Sequence, residues 1–357
     1  SHSAEVYYPK FKVKAKALVK KLPNLMKLLS EVLTKSKFDD KKRVKELIAQ
    51  LKSSLEMYLL RNAQQVVAGR VLSYFSPASR YNEQGLLSFY EFIVDLNKNF
   101  ESRYAVIQEN FAKIMPMLFN KNEMVTSITL DKSDYDIFAK EYPKFLNVLH
   151  DIKFTKQEYE FTIDKLNEGL MTSSKIQYVA KGANFNRLGF AFSGSLRVLE
   201  TILRYDYLWN RIRVQGGAYG AFTQFRRTGN MVFGSYRDPN LAETIDVYNE
   251  TANYMRNFTV DEREMTKYII GSMSTLDTPL TPQMKGEVAA ECHIRHITQA
   301  DIQRERDQVL ATKQEDIRSL ANLIDACMKE NYLCVLGGEE KIKENKEIFN
   351  SLKQVFN

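Results

Sequence analysis

The 357-residue chain has only 4 histidines and 3 cysteines, and its composition excludes more than it offers. Neither H-E-x-x-H nor H-x-x-E-H, the helical spellings of a hydrolytic zinc site, occurs anywhere. Cys292, Cys327 and Cys334 form no C-x-x-C pair, and an odd number of cysteines argues against a disulfide framework, so a reducing, cytoplasmic compartment is expected. No run reaches the roughly 18 uncharged apolar residues of a membrane span, and no secretion signal opens the chain. No membrane partner is expected. Ser1-His2-Ser3 in place of Met looks like the scar of a cleaved tag, which suggests a fragment of something longer and removes His2 from site reasoning. Proline (8) and glycine (15) are also scarce, whereas 44% of residues are apolar, enough for a sizeable core in about two domains.

The net charge of +7 is uneven, with 16 Lys/Arg against 6 Asp/Glu in residues 1–70. These lysines fall on the polar faces of predicted strands and helices, where solvation accounts for them. Nucleic-acid signatures are absent, so no nucleic-acid partner is expected; a basic module built on the lysines of residues 10–52 would show steep salt-dependent duplex binding.

Phe11-Lys12-Val13-Lys14-Ala15-Lys16-Ala17 alternates apolar and charged groups and predicts a half-buried strand. Leu22, Leu25, Met26, Leu29, Val32 and Leu33 recur at helical spacing, and a second helix follows Asp39-Asp40 with Val44, Leu47, Ile48, Leu51 and Leu55 on one stripe. Further helices are predicted near 85–98, 101–118 and 133–149, with a strand at Met124–Leu130. A charged, structure-poor stretch near 151–173 divides the chain into units 1–160 and 161–357. The second unit opens with a strand at Ser174–Ala180 and a helix near 190–212. A hairpin of Ala221–Phe225 and Met231–Tyr236 then turns through Arg227-Thr228-Gly229-Asn230, where Gly and Asn tolerate positive φ. Helices near 240–257, 260–274, 284–297, 299–309 and 313–328 precede a strand at Tyr332–Leu336 and a closing helix over 339–354. The shared outline suggests two related α+β units.

Most candidate motifs dissolve on inspection. His293 and His296 lie three apart on a predicted helix, but no Glu adjoins the second and Arg295 between them repels a cation, so helix-surface histidines are the better reading. His150, alone at a helix end, suits a structural role at the negative end of the dipole. Gly229 to Gly234 has phosphate-loop spacing but places Ser235 where the lysine belongs. G-x-S-x-G and H-R-D are absent.

One segment stands out: Asn210-Arg211-Ile212-Arg213-Val214-Gln215-Gly216-Gly217-Ala218-Tyr219-Gly220. A helix rich in aromatic and basic groups runs into two glycines, which open backbone conformations and leave room for a ligand. Tyr219 then offers an uncharged hydrogen-bond donor suited to an oxyanion, and Arg213 a fork for carbonyls or a carboxylate. On the residues alone the plainer account, a helix C-cap before a hairpin with Tyr219 as filler, stands first.

R-V-x-G-G-A-Y-G closely resembles the fourth-domain segment of presequence-protease-like members of the insulinase (pitrilysin) family of zinc metallopeptidases. Pro9–Leu18 is similar to the opening strand of that family's third domain, and Phe233–Asn240 to the strand-to-helix turn that follows the Tyr. The resemblance implies an α+β fold of two related metallopeptidase-type domains, each a mainly antiparallel sheet against several helices. It implies that Arg213 and Tyr219 hold substrate and stabilise the tetrahedral intermediate, with Gly216, Gly217 and Ala218 lining the substrate. It also implies that the zinc belongs to an N-terminal half absent from this sequence. The chain alone is then expected to bind no cofactor and to be inactive; its partners would be that half and unfolded peptides. A non-catalytic peptide-binding or structural subunit of the same fold is the alternative.

Overall fold

Helix formation in the first part follows local signals. A computed structural model of the chain describes residues 3–122, 124–155 and 159–356. Helix α1 (Leu22–Lys35) carries Pro23 in its first turn, and α2 (Lys41–Arg61) is capped by the Asp40 carboxylate, which accepts from the Arg43 N–H at 2.9 Å. After α3 (Ala63–Leu72), Ser76 caps α4 (Pro77–Glu83). α5 (Leu87–Lys98), α6 (Phe100–Leu118) and α7 (Tyr135–Leu146) complete the block. Val44, Ile48, Ile93, Phe100 and Ile107 pack α2, α5 and α6 into a small core of their own.

The second part holds a six-stranded sheet. Its strands are β1 (Asn167–Thr172), β2 (Tyr178–Asn184), β3 (Gly220–Phe225), β4 (Asn230–Tyr236), β5 (Tyr332–Gly338) and β6 (Ser351–Gln354), in the order β3-β4-β2-β5-β1-β6. Three of the five pairings are antiparallel; β1 runs parallel to β5 and β6. Its helices are α8 (Ser195–Ile202), α9 (Ala242–Asn249), α10 (Thr251–Arg256), α11 (Glu262–Leu276), α12 (Pro282–Arg295), α13 (Gln299–Ala311), α14 (Gln314–Ser319), α15 (Ala321–Lys329) and α16 (Glu339–Glu344).

Period-two alternation sends side chains to two cores. Val179, Ala183, Phe233, Leu333 and Val335 join α8, α9 and α15 on one face, while Leu170, Ala180, Val232, Cys334 and Leu336 meet Val66, Val67 and Val71 of α3 on the other. The sheet is thus sandwiched, and α3 from the first part supplies its second layer. A buried ionic knot crosses the same seam: Arg70 on α3 forks onto Glu168 of β1 (2.7 and 3.1 Å) and donates to Glu83 of α4 (3.0 Å), and the Tyr74 hydroxyl donates to Glu168 (2.7 Å).

The α+β class expected from the resemblance is what the structure has. Several expected elements differ. Residues 11–17 and 124–130 are not in strands, and they pair with nothing among the described residues. Alternation alone makes no strand without a neighbouring edge to bond. Residues 11–17 lie exposed, with Lys14 bridged to Glu287 of α12 at 2.8 Å and the Phe11 ring edge-on to Phe119. The stretch near 151–173, expected to lack structure, contains β1, and the closing helix stops at Glu344 before β6.

Lys181 is the odd member of the main core. It is 3% exposed on β2, where its Nζ donates to Asn249 Oδ1 at 2.7 Å. Burial pulls its pKa down to about 8, against a partial upward pull from Asp246. A folded value below the ordinary 10.5 means that the charged form opposes folding; the cost appears as pH falls through 10.5 and is complete below about 8. Lys181→Met is therefore expected to stabilise the chain at pH 7 by roughly 1–3 kcal/mol, the relieved charge burial less about one hydrogen bond. Urea unfolding at pH 7 and at pH 10 tests this; the gain should shrink at the higher pH.

Candidate functional site

The segment singled out by sequence begins inside a distorted helix. α8 runs on without a break through two wide, π-type stretches, Leu203–Tyr207 and Trp209–Gln215. Such widened turns are uncommon and concentrate at functional sites. The helix ends where Gly216 closes it and Gly217 takes φ of 78°, a left-handed conformation natural to glycine. The Gly217 and Ala218 N–H groups donate back to Arg213 O (3.0 Å) and Ile212 O (3.1 Å). A Cβ on Gly216 would lie 2.6 Å from the Ile212 carbonyl oxygen, a contact no side chain tolerates.

Tertiary bonds fix this turn from behind. Asn240 donates its side-chain amide to Gly216 O at 2.6 Å, and is itself placed by buried Asp238, whose carboxylate accepts from the Asn240 N–H (2.9 Å) and the Thr244 hydroxyl (2.7 Å). Asp238 is held to Gln177 by a pair of backbone bonds of 2.7 and 2.9 Å. Burial pushes the Asp238 carboxyl above its ordinary range.

Arg213 and Tyr219 meet across the turn. Arg213 Nη1 donates to the Tyr219 carbonyl at 2.6 Å, and its guanidinium lies 4.3 Å from the centre of the Trp209 ring and 5.4 Å from that of Tyr219. The Tyr219 N–H donates to Arg237 O at 3.2 Å, extending the β3–β4 ladder by one rung, and its ring packs at 5.7 Å from Tyr236. Tyr219 is 58% exposed, and its hydroxyl makes no hydrogen bond among the described residues. Arg213 has no carboxylate partner among them either. The turn therefore presents a phenol donor and a guanidinium side by side toward solvent. Ala218 differs from its neighbours: its methyl is buried in the main core, so only its main chain faces the turn.

Sequence reasoning does not reach Asp238, Asn240 and Arg237 as functional supports. All lie within Phe233–Asn240, but their bonds to the glycine turn arise only when β4 pairs with β3. Trp209 reads in the sequence as one member of an aromatic helix; its stacking on Arg213 exists only in the fold.

Metal chemistry finds no home in this part of the molecule. Among the described residues no group of three or more His, Cys, Asp or Glu could hold a metal ion, and the Arg213–Tyr219 turn contains no zinc-type ligand set. His296 ends α12 in a left-handed conformation (φ 55°) with its ring 5.8 Å from that of Tyr8. All three cysteines are free thiols; burial pushes Cys327 up to about 12 and Cys334 higher still, which keeps both protonated. Among the described residues no helix is long and apolar enough to cross a membrane.

Residues 167–354, the whole span of the sheet, match the family described as PreP C-terminal domain, and residues 1–96 match one described as associated with M16 peptidases of subfamily C. The chain belongs to the M16 insulinase-type peptidases, in their presequence-protease branch. Protein HypA of Clostridium perfringens is 38% identical over 350 residues, covering 98% of this chain and 36% of that protein. Presequence protease 1, chloroplastic/mitochondrial, of Arabidopsis thaliana is 28% identical over 92% of this chain and 31% of its own length. The M16 chain thus spans about a third of these relatives. Pitrilysin shares the fold, with a TM-score of 0.55 at 12% identity over 89% of this chain and 33% of pitrilysin. So does a Pseudomonas fluorescens protein described as a peptidase M16 inactive domain, with a TM-score of 0.51 at 11% identity over 89% of this chain and 74% of that one.

Proposed function

We propose that this M16 chain is the C-terminal half of a zinc metalloendopeptidase that degrades unfolded peptides, and that it forms the wall of a closed chamber opposite the metal. The zinc site would lie in an N-terminal half, joined covalently or supplied as a separate subunit. The observation that carries the proposal is the Arg213–Tyr219 turn. A phenol with no internal hydrogen bond and a guanidinium with no carboxylate partner among the described residues project together, on a backbone pinned by Asn240 and Asp238.

Arg213 anchors one N–H on the Tyr219 carbonyl and turns its remaining donors to the oxygens of a bound peptide. Trp209 stacks on its guanidinium and limits its swing. The Tyr219 O–H donates to the oxygen that gains charge as the scissile carbonyl becomes tetrahedral. Because the phenol stays neutral, it favours that charged state without taking the proton the leaving amine needs. A chamber built of two halves must open for substrate, so size and flexibility of the peptide would govern choice more than a short motif.

A second account is a subunit that binds peptide along the same turn without chemistry, consistent with the fold it shares with the Pseudomonas fluorescens protein described as an inactive domain. One experiment separates the two. Cleavage of a quenched, unstructured peptide is measured for this chain alone, for the upstream half alone, and for both together. Activity confined to the mixture is the expected result, and a mixture no faster than the upstream half alone would leave only the binding role.

A further inference from the structure

We infer that Arg237 is a third substrate-contacting residue of this turn, and that with Arg213 it takes a carboxylate carried by the peptide. The inference rests on the proposed function above and adds a chemical preference to it. The Tyr219 ring is bracketed by two guanidiniums, Arg213 at 5.4 Å and Arg237 at 5.7 Å from its centre. Neither forms an ion pair with a carboxylate among the described residues. The adjacent acid, Asp238, is fully buried and turned inward, where Asn240 and Thr244 occupy its oxygens. Two cations beside a neutral phenol, with no anion between them, make a recess of positive potential.

The backbone shows that the position of Arg237 is imposed. Its φ is 49°, a left-handed conformation that glycine or asparagine adopts at less cost than arginine. Along β4, side chains alternate between faces, and the Tyr236 ring already packs against Tyr219. An extended residue 237 would point away from that side; the left-handed kink returns its side chain to Tyr219. Backbone bonds on both sides hold the kink, Tyr219 N–H to Arg237 O and the Gln177–Asp238 pair. A residue kept exposed in a costly conformation, aimed at the proposed catalytic phenol, is placed for use rather than for packing.

Guanidinium pairs favour carboxylates because the forked N–H groups match two oxygens at once. A peptide supplies such a group from its free C-terminus or from an acidic side chain. Three otherwise identical peptides distinguish the sources: one amidated with a single Glu, one amidated with Gln in its place, and the Gln peptide with a free C-terminus. The test uses the complete enzyme, this chain with its zinc-binding half. Arg237→Asn, which tolerates the left-handed backbone, is expected to raise KM about tenfold to a hundredfold for one or both carboxylate peptides, as loss of a charged hydrogen bond does. The neutral peptide should change by less than about twofold, and Arg237→Lys should fall between. The carboxylate peptide that responds identifies the source.

An equal change for all three peptides, or none, overturns the inference. Tyr219→Phe in the same assay keeps it separate from the parent proposal: if that variant loses turnover while Arg237→Asn shows no discrimination, only the role of Arg237 falls. If Tyr219→Phe turns over normally, both fall. Should Arg237→Asn fail to fold, Arg237→Lys with the same three peptides decides the question.

Discussion

Replacing Tyr219 with Phe is expected to lower kcat of the complete enzyme by about 10²–10³, equivalent to roughly 2.7–4 kcal/mol, with KM little changed. The substitution removes one oxygen from a side chain that is 58% exposed. That hydroxyl has no hydrogen bond among the described residues, so its loss leaves no internal partner unsatisfied and should not move the melting temperature. Whatever the hydroxyl contributes must then be contributed to a ligand. If it bonded ground-state and transition-state oxygen equally, the change would appear in KM; a donor aimed at the developing oxyanion acts on kcat. An unaltered kcat in steady-state assays of the folded variant would remove Tyr219 from the chemistry and leave it as a wall of the chamber.

How much of this site is legible in the sequence depends on how far along the chain its parts lie from one another. Arg213, Gly216, Gly217 and Tyr219 are nearly contiguous, so their grouping can be read directly, and the β3–β4 hairpin announces itself through Gly229-Asn230 between apolar runs. Asn240 and Asp238 act on the turn across more than twenty positions, and no local pattern reports such bonds. Arg237 is hidden for another reason, since a left-handed φ at an arginine contradicts the preference that sequence reasoning relies on. The fold shows the same division. Asp40 marks the start of α2, and helical stripes mark α1, α5, α6 and α7. α3 escapes because Ala63-Gln64-Gln65-Val66-Val67-Ala68 presents buried groups to several sides, without the single apolar stripe that reveals a surface helix. β1 escapes because Glu168 looks like a solvent residue until Arg70 arrives from α3 to neutralise it.

That ion pair carries the second large expectation: Glu168→Gln should destabilise the chain by roughly 3–5 kcal/mol, the usual consequence of leaving one charge of a buried pair uncompensated. The stranded group would be Arg70, whose side chain is 11% exposed and which retains only Glu83 as a charged partner. Burial pushes the Glu168 carboxyl up, but the Arg70 hydrogen bonds and charge, with the Tyr74 hydroxyl, more than reverse this and leave it below the ordinary range. A depressed folded value means that the stabilisation is complete above the unfolded carboxylate pKa of about 4.3 and is lost as pH falls through the folded value. The wild-type chain should therefore lose stability steeply below about pH 4, where the variant, with nothing left to protonate, should follow a shallower curve. Urea unfolding from pH 7 down to pH 3 checks both. Sheet order then separates stability from function. β1 and β3 are separated by three strands, so at a temperature where Glu168→Gln is still folded, the Arg213–Tyr219 turn beside β3 should remain intact and turnover in the complete enzyme nearly normal. Loss of turnover in a folded variant would mean that the seam between α3 and the sheet also shapes the site; an unchanged urea midpoint would mean that the knot contributes nothing to holding the two parts together.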